Sequence, residues 1–170
     1  MTKEQYIKIT KPLRENPERA RQVKNFNHIL TGLVFLVYPL YLLMLLIEHN
    51  PWLSRAVIVP LDSFLIVSFA RAVINAPRPY EKFGIPPVLK KDTKGKSFPS
   101  RHVFSVFVIA VTIFYEHPSV GIILGIIGIL LGAVRVMVGV HEPKDIIAGA
   151  ITGILCGVIG YYTTFPYIFR

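Results

Sequence analysis

The sequence predicts an all-α integral membrane protein, a helical bundle of about five transmembrane helices with a basic N-terminal arm or interfacial helix. Three observations carry that expectation. Of the 170 residues, 52% are hydrophobic and only 17% are charged. The charge is also unevenly spread: 29–47 and 146–169 contain no charged residue, and 120–140 contains only Arg135. Each of these runs is long enough to cross about 30 Å of hydrocarbon as a helix. Two shorter apolar runs, 56–70 and 102–115, lie between ionisable groups and span only if their polar ends reach an interface or a protein interior. A re-entrant hairpin is the competing reading for that pair.

Taken in order, residues 1–26 form the arm. They carry seven Lys or Arg against Glu4, Glu15 and Glu18, with Pro12 and Pro17 interrupting any long helix. Such a segment suits an anionic membrane surface. Nothing in the chain resembles a base-reading module, so nucleic acid is not an expected partner. No cleavable signal is expected either, because the first apolar run is longer than a signal-peptide core.

A single transmembrane domain is expected over 27–170, with spans at about 27–47, 55–75, 101–116, 119–140 and 145–167. Pro39 predicts a kink in the first span, and Trp52 suits an interface after it. Asp62 is an isolated carboxylate inside the second span, available to pair with Arg55 or with another helix. The polar connection "APRPYEKFGIPPVLKKDTKGKSFPS" follows, and loops of that length are functional or disordered. Cys156, the sole cysteine, excludes an intramolecular disulfide and a metal-thiolate cluster and reads as a small packed residue. Gly121 with Gly125, Gly128 with Gly132, and Gly149, Gly153 and Gly157 repeat every four residues. In lipid that spacing lets helix backbones approach closely. Packing within the chain is its expected use, with a homodimer through the same glycine-rich faces as the alternative.

Counting crossings, the span ends carrying Arg78, His102 and His141 emerge on one face, shared with the arm. Arg71, Arg101, Arg135 and Asp145 belong to it as well. Charge inside a membrane is costly, so several arginines converging there imply an anion to hold. The planar guanidinium donates paired hydrogen bonds to phosphate and stays charged. In "FPSRH", Pro99 suits a first helical turn and Ser97 or Ser100 its cap, which would aim free N–H groups at the same anion. A carboxylate ligand would also fit the arginines but would not explain two histidines.

His141 and Asp145, four residues apart, share one face of a helix starting near Pro143. The carboxylate can accept from one imidazole nitrogen and leave the other as a basic lone pair. A histidine so oriented can attack phosphorus, and His102 can protonate the leaving oxygen.

These residues resemble three motifs of the type 2 phosphatidic acid phosphatase superfamily, in its bacterial-type membrane lipid phosphatase form. "RAVINAPRP" resembles the first, with Arg71 where lysine is usual and Arg78 and Pro79 in place; "PSRH", Pro99 to His102, resembles Pro-Ser-Gly-His. "VRVMVGVHEPKD" supplies Arg135, His141 and Asp145 of the third, with Val134 in a serine's place.

The resemblance implies a phosphohistidine on His141, oriented by Asp145, with His102 as the acid. It implies that Arg71, Arg78, Ser100, Arg101 and Arg135 hold the phosphoryl oxygens, with no metal or cofactor. Its expected substrate is a lipid phosphate, such as a polyprenyl phosphate or diphosphate, phosphatidylglycerophosphate, phosphatidic acid or a phosphorylated polyprenyl sugar. A catalytically silent anionic-lipid binder or carrier is the second reading, and a vanadate-dependent peroxidase a distant third. Members usually have six spans, one more than counted here. The basic arm and loop favour a cytoplasmic site by the positive-inside rule, whereas bacterial relatives usually work on the outer face of the cell membrane.

Overall fold

The computed structural model describes residues 1–89 and 93–163. Seven helices account for most of them: α1 (Lys3–Arg14), α2 (Pro17–Ile47), α3 (Leu53–Ile74), α4 (Pro79–Phe83), α5 (Arg101–Phe114), α6 (Pro118–Met137) and α7 (Pro143–Thr163). Among the described residues, four helices are long and apolar enough to cross a membrane, those starting at Pro17, Leu53, Pro118 and Pro143. The fifth apolar helix, α5, has 14 residues and measures only about 21 Å. The all-α bundle of about five apolar helices is therefore present, with one short member at its centre.

The helix ends follow local chemistry. Thr2 and Gln5 form a reciprocal capping box at the start of α1, with Glu4 in the first turn and Lys11 and Arg14 in the last, matching the helix dipole at both ends. One helix, α2, carries the end of the basic arm and the first apolar run together. Asn16 caps α2 by accepting from the Arg19 N–H, and Pro17 occupies the first turn, so the helix begins ten residues before the apolar run and measures about 46 Å. Its polar first turns are exposed. Pro12, Pro39 and Pro60 all lie inside helices that continue past them. α6 stops at Met137, and Gly139, with a left-handed φ of 76°, turns the chain toward α7. The expected end of the last span, 164–167, lies outside the described residues.

α5 packs chiefly on α6 and α7 and also on α3. It buries Val103, Phe104, Val106, Val108, Ile109, Ala110 and Ile113, while the surrounding helices expose large apolar side chains such as Phe35, Phe69, Ile126 and Ile151. A surface so apolar suits acyl chains and not water. Glycines let α5 in. A Cβ on Gly149 would stand 2.7 Å from the Ser100 carbonyl oxygen, and one on Gly153 would stand 2.7 Å from that of Phe104. The α6 and α7 glycines are thus largely taken up by contacts within the chain; Gly125 faces open space.

At the end of the bundle near the α5 C-terminus, Trp52 stacks on Tyr161 at 5.3 Å, the Arg55 guanidinium lies 4.5 Å from the Trp52 ring, and Tyr41 and Asn50 both donate to Glu116. Asp62 is exposed on α3 and has no ion-pair partner among the described residues.

Gly149→Val should drive α5 off α7 and lower stability by about 1–3 kcal/mol, read as a lower melting temperature in detergent. Gly125→Ala, with nothing within 4 Å of the added carbon, should leave the melting temperature unchanged or raise it.

Candidate active site

The start of α7 is folded onto the start of α5. The Ser100 N–H donates to the Asp145 carbonyl oxygen at 2.8 Å, and the Asp145 side chain gathers three donors on one oxygen. Asp145 Oδ2 lies 3.3 Å from His141 Nδ1, accepts from Ser97 Oγ at 2.6 Å, and accepts from the Glu142 N–H at 3.0 Å. Ser97 Oγ also stands 3.3 Å from His141 Nδ1. The carboxylate next to Nδ1 assigns the imidazole proton to that nitrogen, which leaves Nε2 with the lone pair. His141 is 1% exposed, so its ring is held by protein on nearly every side.

The arginines surround this pair but have work of their own. Arg78 Nε donates to the Gly95 carbonyl at 3.1 Å and Nη1 to that of Val140 at 3.3 Å, directly before His141. Arg71 donates through Nη1 to the Ser97 carbonyl at 3.3 Å and through Nη2 to that of Lys96. Both fasten residues 95–97 of the polar connection at the bundle end. Glu81 helps by accepting from the N–H groups of Arg78 and Gly95. Arg71 feels the charges of Arg78, Arg101 and Asp145, and Arg135 feels that of Arg78. Arg71, Arg78 and Arg135 are all buried. Arg135 Nε and Ser100 Oγ are buried with no hydrogen-bond partner among the described residues. Such groups are rare and costly unless something else pairs with them.

Ser100 occupies the N-cap position of α5, yet its hydroxyl makes no capping bond. The first-turn N–H groups that follow have no intrahelical acceptor. His102 sits in that turn, half-buried, on a cavity of about 430 Å³ that Arg101 also lines. Arg101 stands apart from the other arginines: it is exposed, and its guanidinium lies 5.5 Å from the Phe64 ring centre. Val134, in the place of a serine, packs in an apolar cluster with Leu13, Val138 and Val140.

Three participants were not among the site residues expected from sequence. Ser97, read there as a helix cap, is instead a partner of Asp145. Glu142 is buried and collects Lys82 at 3.3 Å, Lys144 at 3.7 Å and the Met1 ammonium at 3.3 Å. Tyr6, fully buried in α1, donates to the Gly139 and Ile85 carbonyls and packs beneath the turn that presents His141. Burial holds its phenol above the usual range, against the pull of Arg14, so it remains a neutral donor. For Ser97 and Glu142 a signal existed: each is a polar residue beside a motif. Tyr6 offered none.

The family model of the PAP2 superfamily matches residues 52–168 of the chain. The chain belongs to the PAP2 superfamily. Among curated relatives, this PAP2 protein is 28% identical over 122 residues to the bacitracin transport permease protein BcrC of Bacillus licheniformis. That match covers 66% of the chain and 60% of BcrC, so the chain spans under two thirds of this relative's length. The crystal structure of LpxE from Aquifex aeolicus superposes with a TM-score of 0.72 at 25% identity, over 94% of this chain and 93% of that one. The first transmembrane PAP2-type phosphatidylglycerolphosphate phosphatase from Bacillus subtilis shares the fold, with a TM-score of 0.69 at 21% identity over 98% of this chain and 88% of that one. The PAP2 protein described here is thus a multi-pass membrane protein of a phosphatase family, as its three motifs led us to expect.

Ser97→Ala removes one donor from Asp145 and loosens the ring it orients. A hydrogen bond to a charged group is worth roughly 1.5–3 kcal/mol. Under the activity proposed below, phosphate release by this variant should therefore fall about tenfold or more, with the fold retained by circular dichroism.

Proposed function

We propose that the protein is a lipid phosphate phosphatase that removes a terminal phosphate through a phosphohistidine on His141. The observation that carries the reading is the pairing of His141 Nδ1 with Asp145 Oδ2 at 3.3 Å, beside buried arginines and the unpartnered Arg135 Nε and Ser100 Oγ. An oriented imidazole and unsatisfied buried donors together suit a phosphoryl group. Neither alone would.

In the first step His141 Nε2 attacks phosphorus; the N–P bond forms as the bond to the leaving oxygen breaks, and His102 gives that oxygen its proton. Asp145 stabilises the positive charge that develops on the ring. Next, water attacks the phosphohistidine with His102 taking its proton, the N–P bond breaks, and inorganic phosphate leaves. Arg71, Arg78 and Arg135, with the Ser100 hydroxyl and the first-turn N–H groups of α5, balance the charge on the transferring group. The donor set supplies that charge compensation, and no metal or cofactor is assigned to the site.

The apolar exterior supports a substrate whose tail remains in the bilayer, with membrane lipids around it. The proposed location is the cell membrane.

His141→Ala should abolish phosphate release in a screen of lipid monophosphates and diphosphates, and Asp145→Asn should lower it by about 10³–10⁴, both variants still inserting into membrane. Acid-labile phosphate should appear on wild-type protein quenched during turnover. Lipid binding without phosphate release by the wild type would favour a carrier.

The basic residues crowd the site face, and by the positive-inside rule that distribution supports a cytoplasmic site, against the outward habit of bacterial relatives. A phosphatase reporter fused after Arg170 should therefore be active, being exported. An inactive fusion would put the site on the outer face.

A further inference from the structure

The turn that presents His141 is gripped from three sides. Asp145 and Ser97 hold the imidazole, and the Val140 carbonyl accepts from Arg78. The third grip comes from α1, which lies outside the residues 52–168 that the family model matches. Tyr6 Oη stands 3.2 Å from the Gly139 carbonyl oxygen and 3.3 Å from that of Ile85, and the side chain is fully buried. A phenol has a single proton to donate, so here it is shared between two segments of the site. One acceptor lies two residues before the nucleophile, the other on the loop that follows α4.

Gly139 and Tyr6 fit one another. A Cβ at Gly139, where φ is 76°, would come within 2.5 Å of Tyr6 Oη, so the hydroxyl fills the place that a side chain would take. The tyrosine is itself braced. Its ring centre lies 5.4 Å from that of Phe83, and the Arg14 guanidinium lies 5.8 Å from it. Thr10 Oγ1 donates to the Tyr6 carbonyl at 2.9 Å and accepts from Arg14 Nε at 3.0 Å, while Arg14 Nη2 donates to the Pro86 carbonyl. The Val88 N–H closes the circuit by donating to the Val138 carbonyl at 3.0 Å. Holding α1 in place would need only apolar contact, which Leu13 already makes with Val134, Val138 and Val140. A hydroxyl buried against two carbonyls does more than that: it fixes where those carbonyls stand.

Attack on phosphorus is sensitive to such placement, and a displacement of about 1 Å can lower a rate by about 10². Asp145 sets the rotation of the imidazole, but the position of the ring also depends on the backbone from Gly139 to His141. Resting on the phosphatase reading above, we infer that Tyr6 is a positioning residue for the reaction: by tying the Gly139 carbonyl to the loop at Ile85, it fixes the approach of His141 Nε2 to phosphorus. It touches neither substrate nor reacting atoms. Its effect belongs to the transition state, where Nε2 and phosphorus must be in line, and not to the binding of the phosphoryl group.

The test uses Tyr6→Phe, which keeps the ring and removes the hydroxyl, in purified full-length protein in detergent. Phosphate release is read from phosphatidic acid, phosphatidylglycerophosphate, a polyprenyl monophosphate and a polyprenyl diphosphate. On the lipid that the wild type turns over fastest, kcat should fall about fivefold, the factor for one neutral hydrogen bond, with KM within about twofold. Orthovanadate adopts the five-coordinate geometry of the transferring phosphorus, so it should inhibit the variant about fivefold less tightly, whereas inhibition by inorganic phosphate should stay within about twofold. Arg14→Gln, which frees the Pro86 carbonyl but leaves the Tyr6 hydroxyl, should give the same pattern to a smaller degree. Ile7→Ala, on the exposed face of α1, should leave kcat unchanged. A Tyr6→Phe variant with wild-type kcat well below its melting temperature overturns the inference, as does a lower kcat with unchanged vanadate inhibition. If Tyr6→Phe does not fold, Arg14→Gln decides, and wild-type kcat and vanadate inhibition in it overturn the inference. Release from none of the four lipids by the wild type sinks the phosphatase reading instead.

Discussion

One carboxylate oxygen organises this end of the molecule. Asp145 Oδ2 holds the Ser97 hydroxyl, His141 Nδ1 and the Glu142 N–H, while the backbone carbonyl of the same residue holds the N–H of Ser100. The first turn of α7, the cap of α5, Ser97 of the polar connection and the turn after α6 all meet at that residue. Arg71 and Arg78 extend the arrangement outward by gripping carbonyls of Lys96, Ser97, Gly95 and Val140. Side chains that look like pure anion ligands in the sequence therefore also hold the loops in register. A network of this kind is stable only when nearly every member is satisfied. The unpartnered atoms on Ser100 and Arg135 are consequently informative.

Behind the polar end, packing in lipid sets the limits. Helices in a bilayer gain nothing from hiding apolar surface from water, so close contact must do the work. The glycines on α7 remove the side chains that would otherwise hold α5 away, and α5 responds by running within touching distance of that helix along much of its length. The position of Ser100 against Asp145 is set by this contact as much as by the hydrogen bond itself.

Much of this was legible in the sequence because the signals were local and strong. Uninterrupted apolar runs give helices, four-residue glycine spacing gives close helix pairs, and four-residue spacing brings His141 to Asp145. The start of α2 was less visible because a polar helix start carries no hydropathy signal, although Asn16 followed by Pro17 is a proper cap. Ser97 was legible as polar but not as a partner of Asp145, since 48 residues separate them. The docking of Tyr6 beneath Gly139 depends on a contact across 133 residues that no periodicity announces. Arg101 was visible as a departure from a motif, and only the cavity beside it distinguishes its surroundings from those of the buried arginines.

The shortness of α5 has a further meaning. Its far end is level with the aromatic cluster of Trp52, Tyr115 and Tyr161, the kind of side chains that settle at a membrane boundary. A helix of about 21 Å rising from that boundary ends roughly 9 Å short of the opposite one, given a hydrocarbon layer of about 30 Å. With α5 upright, His102 and its neighbours would sit at the bottom of a dip below the plane of the surrounding headgroups. The lipid substrate proposed above would reach them by sliding sideways and sinking slightly, keeping its tail in oil throughout. A soluble phosphate ester of the same charge would have to descend into that dip without any tail to anchor it.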